Sequence, residues 1–257
     1  MTRLRAILMD MDGVLWRDTE AIGSLPAILA AISAKGLKAA FVTNNATRTI
    51  EQYQEKFRGF GVEVQAEQIQ TSAMAAAHVL SQQFQCGGQV YVIGETGLID
   101  ALKKHDFRVA ERDCLAVVVG LDRQLTYEKL RIATRLIRGG ATFIGTNPDK
   151  TLPSPTGEVP GAGTILAALE ASTGVSPTVI GKPGTALLEA AMEQLGVKPE
   201  ETLMVGDRID TDVAAGQKAG CQTALVLTGI TSEQAAHAWK PAPNYIEKDL
   251  ESLVSKL

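Results

Sequence analysis

The sequence predicts an α/β protein built on parallel sheets with helices on both faces. Three observations predict it. Strand-length apolar runs alternate with helix-length segments along the chain. The runs are continuous, the pattern of strands buried on both sides. Several of them end directly in polar residues, as strands do where parallel α/β proteins build their sites.

Taken in order, Ala6–Met9 reads as a buried strand that runs into Asp10, Met11, Asp12 and Gly13. A helix follows in PAILAAISAKG, opened by Pro26 and closed by Gly36. KAAFVTNN is a second buried strand with a polar end, and helices follow over about 49–57 and 71–83. QVYVIG, LAVVVGLD and ATFIGTN are strands separated by helices at 97–104 and 127–138. KTLPSPTGEVPGAG carries three of the ten prolines and reads as a loop, followed by a helix over about 164–171. The last third repeats the scheme: TVIG, a helix at 185–195, TLMVGDRID, a helix around 213–219, and QTALVLTG.

The bulk numbers narrow the function classes. At 257 residues, 45% hydrophobic and 21% charged, the chain has the composition of a globular protein with a sizeable core. A net charge of −4 offers no general attraction to nucleic acid or to an acidic membrane, so neither is expected as a partner. No apolar run has the length of a membrane span, and no leader-like segment precedes the first strand. Cys86, Cys114 and Cys221 are scattered, with no zinc or disulfide spacing, which fits a reducing compartment and a cytoplasmic protein.

Four polar sets follow apolar strands: Asp10 and Asp12, Thr43-Asn44-Asn45, Lys182, and Asp207 with Asp212. If those strands are parallel neighbours, all four converge on one edge of one sheet. Carboxylates gathered at a buried strand end repel one another and need a cation. With one ammonium and one hydroxyl beside them, the inventory suits Mg²⁺ and a phosphate. Asp10 and Asp207 can supply metal oxygens, and Asp212 can support Asp207 or a metal-bound water. A carboxylate here can also attack phosphorus. Asp12 suits proton donation to the leaving oxygen and, later, proton removal from water. Gly13 permits a sharp turn, Thr43 and the amides after it can bind phosphate oxygens, and Lys182 can face the charge of the transferring group.

In this order the motifs resemble the haloacid dehalogenase-like hydrolase superfamily. Asp10-Met11-Asp12-Gly13-Val14-Leu15 matches its first motif, Thr43-Asn44-Asn45 its second, Lys182 in GKP its third, and Gly206-Asp207 with Asp212 its fourth. The match is closest to subfamily IIA, the 4-nitrophenyl-phosphatase-like branch, through Thr146-Asn147-Pro148-Asp149 and Pro160-Gly161-Ala162-Gly163. The resemblance implies a Rossmann-like doubly wound core, 1–74 and 177–257, with an α/β cap domain inserted at 75–176. It also implies that Asp10 is the nucleophile, and that Asp12 is the acid/base and lends its backbone carbonyl to the metal. Asp207 would be the other metal carboxylate. A homodimer through the cap is a further implication.

Each residue also has a plain structural reading. Thr43-Asn44-Asn45 could cap the following helix. Asn147 and Asp149 either face substrate or close a turn. Trp16 either walls the site or packs in the core, and Arg208 reads as part of a surface ion pair. The function expected is a Mg²⁺-dependent phosphatase acting on phosphomonoesters of small metabolites through an aspartyl-phosphate. A phosphotransferase using the same residues and a non-catalytic metal- and phosphate-binding protein are the alternatives.

Overall fold

A computed structural model describes residues 3–154 and 157–257, and the chain divides into two compact units. The first comprises Met1–Thr43, Glu51–Gln70 and Lys182–Leu257; the second comprises Asn44–Ile50 and Thr71–Gly181.

The strands, in chain order, are β1 (Ala6–Met9), β2 (Trp16–Arg17), β3 (Glu20–Ala21), β4 (Lys38–Thr43), β5 (Ile69–Thr71), β6 (Gly88–Ile93), β7 (Phe107–Val109), β8 (Ala116–Val119), β9 (Thr142–Gly145), β10 (Thr151–Ser154), β11 (Gly157–Pro160), β12 (Thr178–Val179), β13 (Thr202–Gly206), β14 (Gln222–Val226) and β15 (Tyr245–Glu247).

In the first unit the main sheet has the order β15-β14-β13-β1-β4-β5. β1 lies between β13 and β4, parallel to both, with Met9 opposite Val205 and Phe41. All four of its residues are buried, which is why Ala6–Met9 is a continuous apolar run and not an alternating one. The ends of β1, β4 and β13 therefore lie side by side, bringing Asp10, Thr43 and Asp207 to one edge. A short antiparallel ribbon, β2 with β3, follows the first motif.

The second unit holds a five-stranded sheet of order β12-β9-β8-β6-β7, parallel throughout. Helices Tyr127–Arg138 and Ala162–Thr173 pack their apolar residues, among them Ile132, Ile137, Ile165 and Leu169, against Tyr91, Val117, Val119 and Phe143. The helix at 127–138 has the bounds the sequence predicts, because Thr126 caps it by accepting from the Lys129 amide at 3.2 Å.

Two expectations are corrected. TVIG does not join the sheet of β1: β12 pairs with β9, Thr178 opposite Ile144, so Lys182 follows a strand of the other sheet. An apolar run encodes burial but not which sheet supplies its neighbour. The stretch KTLPSPTGEVPGAG is not all loop either, since β10 and β11 form a two-stranded antiparallel ribbon with Pro153 opposite Glu158. A two-stranded ribbon leaves one edge of each strand unpaired, where proline's missing N–H costs nothing. Pro155 and Thr156, within that same stretch, lie outside the described residues. The sequence reading also passes over β2, β3, β5, β7 and β15 and the helices Glu233–Ala238 and Leu250–Lys256, each seven residues or fewer. Among the described residues no helix is long and apolar enough to cross a membrane.

Candidate active site

Asp10 extends β1 by one residue, its amide donating to the Val205 carbonyl at 2.9 Å. The chain then turns back tightly, with Leu15 N donating to Met11 O and Gly13 N to Trp16 O, each at 2.8 Å. Gly13 sits at φ +89°, and a Cβ there would stand 2.7 Å from Asp207 Cγ. Glycine is required on both counts, conformation and space. Its carbonyl accepts from Thr228 Oγ1 at 2.5 Å.

Four side chains meet at this edge. Asp10, Lys182, Asp207 and Asp212 are 9%, 1%, 2% and 1% exposed. Lys182 Nζ lies 2.6 Å from Asp10 Oδ1 and 2.7 Å from Asp212 Oδ1, and it donates to the Val42 carbonyl at 3.0 Å. Asp212 Oδ2 accepts from the Arg208 amide at 3.0 Å, an arrangement set by the π-helical turn over Ile209–Val213. Asp207 Oδ2 accepts from the Ile230 amide at 2.9 Å. Asp207 Oδ1, although buried, has no hydrogen-bond partner among the described residues.

The electrostatics follow from burial. Desolvation pushes the Asp10 carboxyl well above its ordinary range, opposed by Lys182 and reinforced by Asp212 and Asp207. Burial, with Asp212 next, raises Asp207 to about 7. Burial works against the Lys182 ammonium, but Asp10 and Asp212 outweigh it and hold the group above its usual value. Oxygens of Asp10, Asp207 and Asp212 lie within 4.8 Å of one another. At an effective dielectric of about 20, two charges at that separation repel by roughly 3 kcal/mol.

Three carboxylates against one ammonium leave two negative charges, which a divalent cation matches. The unpartnered Asp207 Oδ1 and the all-oxygen donor set fit a hard cation.

Asp12 stands apart from that cluster, with its side chain 48% exposed. Its Oδ1 accepts the Trp16 indole N–H at 2.7 Å and lies 3.8 Å from Lys56 Nζ. Thr43, buried, ends β4 directly after the carbonyl that Lys182 binds.

Asn44, Asn45, Asn147 and Asp149 group with the second unit, where Asn44, Asn147 and Asp149 hold one another. Asn147 Nδ2 donates to the Asn44 carbonyl at 2.8 Å, and Asn44 Nδ2 to Asp149 Oδ2 at 3.3 Å. Asn147 Oδ1 accepts from the Asp149 amide at 3.1 Å, closing a turn. Asn45 Oδ1 accepts from Thr47 N and Oγ1, at 3.0 and 2.7 Å, two residues along and ahead of the helix that begins at Ile50. Arg208 reaches Asp210 at 3.5 Å on the surface, as expected.

Sequence reasoning missed the loop after β14. Ile230 N binds the Asp207 side chain, and Thr231 N the Asp207 carbonyl at 3.2 Å. Gly229 has no room for a Cβ against Asp207. The signal was present, since LTGIT follows an apolar strand as the other polar sets do. Lys56 carried no such signal, being one of four charged residues on the helix Ile50–Gly59.

The family model described as haloacid dehalogenase-like hydrolase matches residues 7–108, and one described as HAD-hydrolase-like matches residues 179–253. The chain is 39% identical over 258 residues to an acid sugar phosphatase of Staphylococcus aureus, covering 100% of this chain and 99% of that one. A p-nitrophenyl phosphatase from Archaeoglobus fulgidus is 32% identical, with a TM-score of 0.93 and full coverage of both chains. NagD from Escherichia coli K-12 superposes with a TM-score of 0.89 at 33% identity, covering 97% of this chain and 98% of NagD. The chain belongs to the haloacid dehalogenase-like hydrolases, in their subfamily IIA, 4-nitrophenyl-phosphatase-like branch, and is a phosphatase of that family.

Proposed function

We propose that the chain is a Mg²⁺-dependent, cytoplasmic phosphatase that hydrolyses sugar phosphates and related small phosphomonoesters through an aspartyl-phosphate on Asp10. The observation that carries this reading is the buried cluster of Asp10, Asp207 and Asp212 around Lys182, with one Asp207 oxygen lacking a hydrogen-bond partner among the described residues. Asp10 and Asp207 would hold the cation through their carboxylates and Asp12 through its backbone carbonyl. When bound, Mg²⁺ supplies positive charge that neutralises the cluster and the phosphate it faces.

Asp10 attacks phosphorus, the bond from phosphorus to the ester oxygen breaks, and Asp12 gives its proton to the leaving alcohol. Water then attacks the acyl phosphate and yields its proton to Asp12. Inorganic phosphate leaves and the Asp10 carboxylate is restored. Lys182 opposes charge on the transferring group, and Thr43 with the amides of Asn44 and Asn45 binds its oxygens.

The span 75–176 is read as the family's inserted cap, which chooses the leaving group and through which two copies pair. Names of relatives support the substrate class: acid sugar phosphatase and p-nitrophenyl phosphatase. Phosphate release from a panel of sugar phosphates and 4-nitrophenyl phosphate, with Mg²⁺ and with chelator, tests the reading. Release that requires Mg²⁺ and disappears in Asp10→Asn is expected. Equal release by that variant would remove Asp10 from the chemistry.

A further inference from the structure

We propose that Trp16 and Lys56 are positioning residues that hold Asp12 in place for its proton transfer to the leaving group. The inference rests on the reading of Asp12 as acid/base and adds the residues that aim it.

Trp16 is fully buried, yet its one polar atom points at Asp12 Oδ1 from 2.7 Å. Its ring is locked on two sides, edge-on to Phe57 with centroids 5.0 Å apart and stacked on Phe60 at 5.6 Å. A ring so wedged cannot swing with the carboxylate, so the indole N–H is a fixed donor. Backbone pairing fixes the spacing, since Gly13 N donates to Trp16 O across the turn and Asp12 bridges to Trp16. Lys56 completes the hold. Its ammonium lies 4.1 Å from the centre of the Trp16 ring and 3.8 Å from Asp12 Oδ1, while its side chain is only 13% exposed.

The indole N–H, by a hydrogen bond, and the ammonium, by an ion pair, therefore meet the same Asp12 oxygen. A half-exposed carboxylate would otherwise sample several rotamers, and general acid catalysis needs its oxygen within hydrogen-bond reach of the leaving atom. Packing alone would not require the indole N–H here, because the contacts with Phe57 and Phe60 are ring contacts that do not use the nitrogen.

The test separates aiming from packing by the leaving group. Phenyl phosphate leaves as a weakly acidic phenol and needs the proton. 4-Nitrophenyl phosphate leaves as a much more acidic one and needs it little. kcat/KM is the right readout because it covers only steps through cleavage of the ester bond. Trp16→Phe keeps an aromatic ring in the wedge and deletes the N–H. We expect it to lower kcat/KM for phenyl phosphate about tenfold or more, and for 4-nitrophenyl phosphate by no more than about threefold.

Lys56→Met, which keeps the stem over the ring, should show the same selectivity more weakly, and Lys56→Arg should restore it. Equal losses on both esters in Trp16→Phe and Lys56→Met, or no loss in either, would overturn the proposal. Asp12→Asn run alongside tells the two failures apart. If it too lacks leaving-group selectivity, the acid role of Asp12 has failed; if it alone shows selectivity, only the positioning role has.

Discussion

Replacing Lys182 by Met removes the cation that two buried carboxylates share. Nζ lies 2.6 Å from Asp10 and 2.7 Å from Asp212, and both acids are at most 9% exposed, so water cannot take the ammonium's place. Breaking a buried pair by deleting one partner costs about 3–5 kcal/mol, because the other charge stays behind. In a chain of 257 residues that corresponds to a melting temperature lower by roughly 6–20 °C at neutral pH without metal.

The pH dependence gives the sharper check. Asp10 already titrates above its unfolded value, from burial foremost. A group raised on folding stabilises the fold fully below its unfolded pKa and loses that contribution as pH rises through its folded pKa. Lys182→Met raises Asp10 further, so its deficit should be largest at pH 8 and shrink toward pH 5 as the carboxyl takes up its proton. Urea unfolding of wild type and variant at the two pH values in chelator measures this. A deficit independent of pH, or none at all, would refute the charge accounting of the cluster.

Other consequences are as specific. Asp207, raised to about 7 chiefly by burial, makes the metal-free fold less stable as pH rises through neutrality. Mg²⁺ should therefore raise the melting temperature more at pH 8 than at pH 6, and calorimetry should show weaker binding at the lower pH as protons compete for the carboxylate. Gly13→Ala places a Cβ 2.7 Å from Asp207 Cγ at a φ of +89°. It should cost about 1–3 kcal/mol in denaturant titrations and weaken Mg²⁺ binding together with stability. Cys221 is buried and its thiol is pushed up to about 12 by desolvation, whereas Cys86 is exposed. Alkylation followed by peptide mapping should modify Cys86 in the native protein and Cys221 only after unfolding.

Much of the site could be read in the chain because its residues directly follow strands. Asp10 and Asp207 each stand one residue past a run buried on both faces, β1 and β13, and those runs announce themselves through continuous hydrophobicity. Asp212 was within reach because it shares the GDRIDTD stretch. The assignment of TVIG to a sheet was not legible. β12 contributes only two paired residues, and nothing in Thr178 or Val179 distinguishes β9 as neighbour from β1. The roles of Trp16 and Lys56 depend on a ring wedged between Phe57 and Phe60, a contact across more than 40 positions that no local spacing encodes. The ribbon of β10 and β11 hid behind prolines that a longer sheet would have rejected.

The central claim is that Asp10 carries the phosphoryl group. The most direct test is acid quenching of enzyme during turnover of 4-nitrophenyl phosphate with Mg²⁺, followed by mass spectrometry of the peptide containing Asp10. The account predicts a phosphorylated Asp10 that vanishes on treatment with hydroxylamine and never forms in Asp10→Asn. Phosphate release that proceeds with no such adduct, or an adduct on another residue, would contradict it.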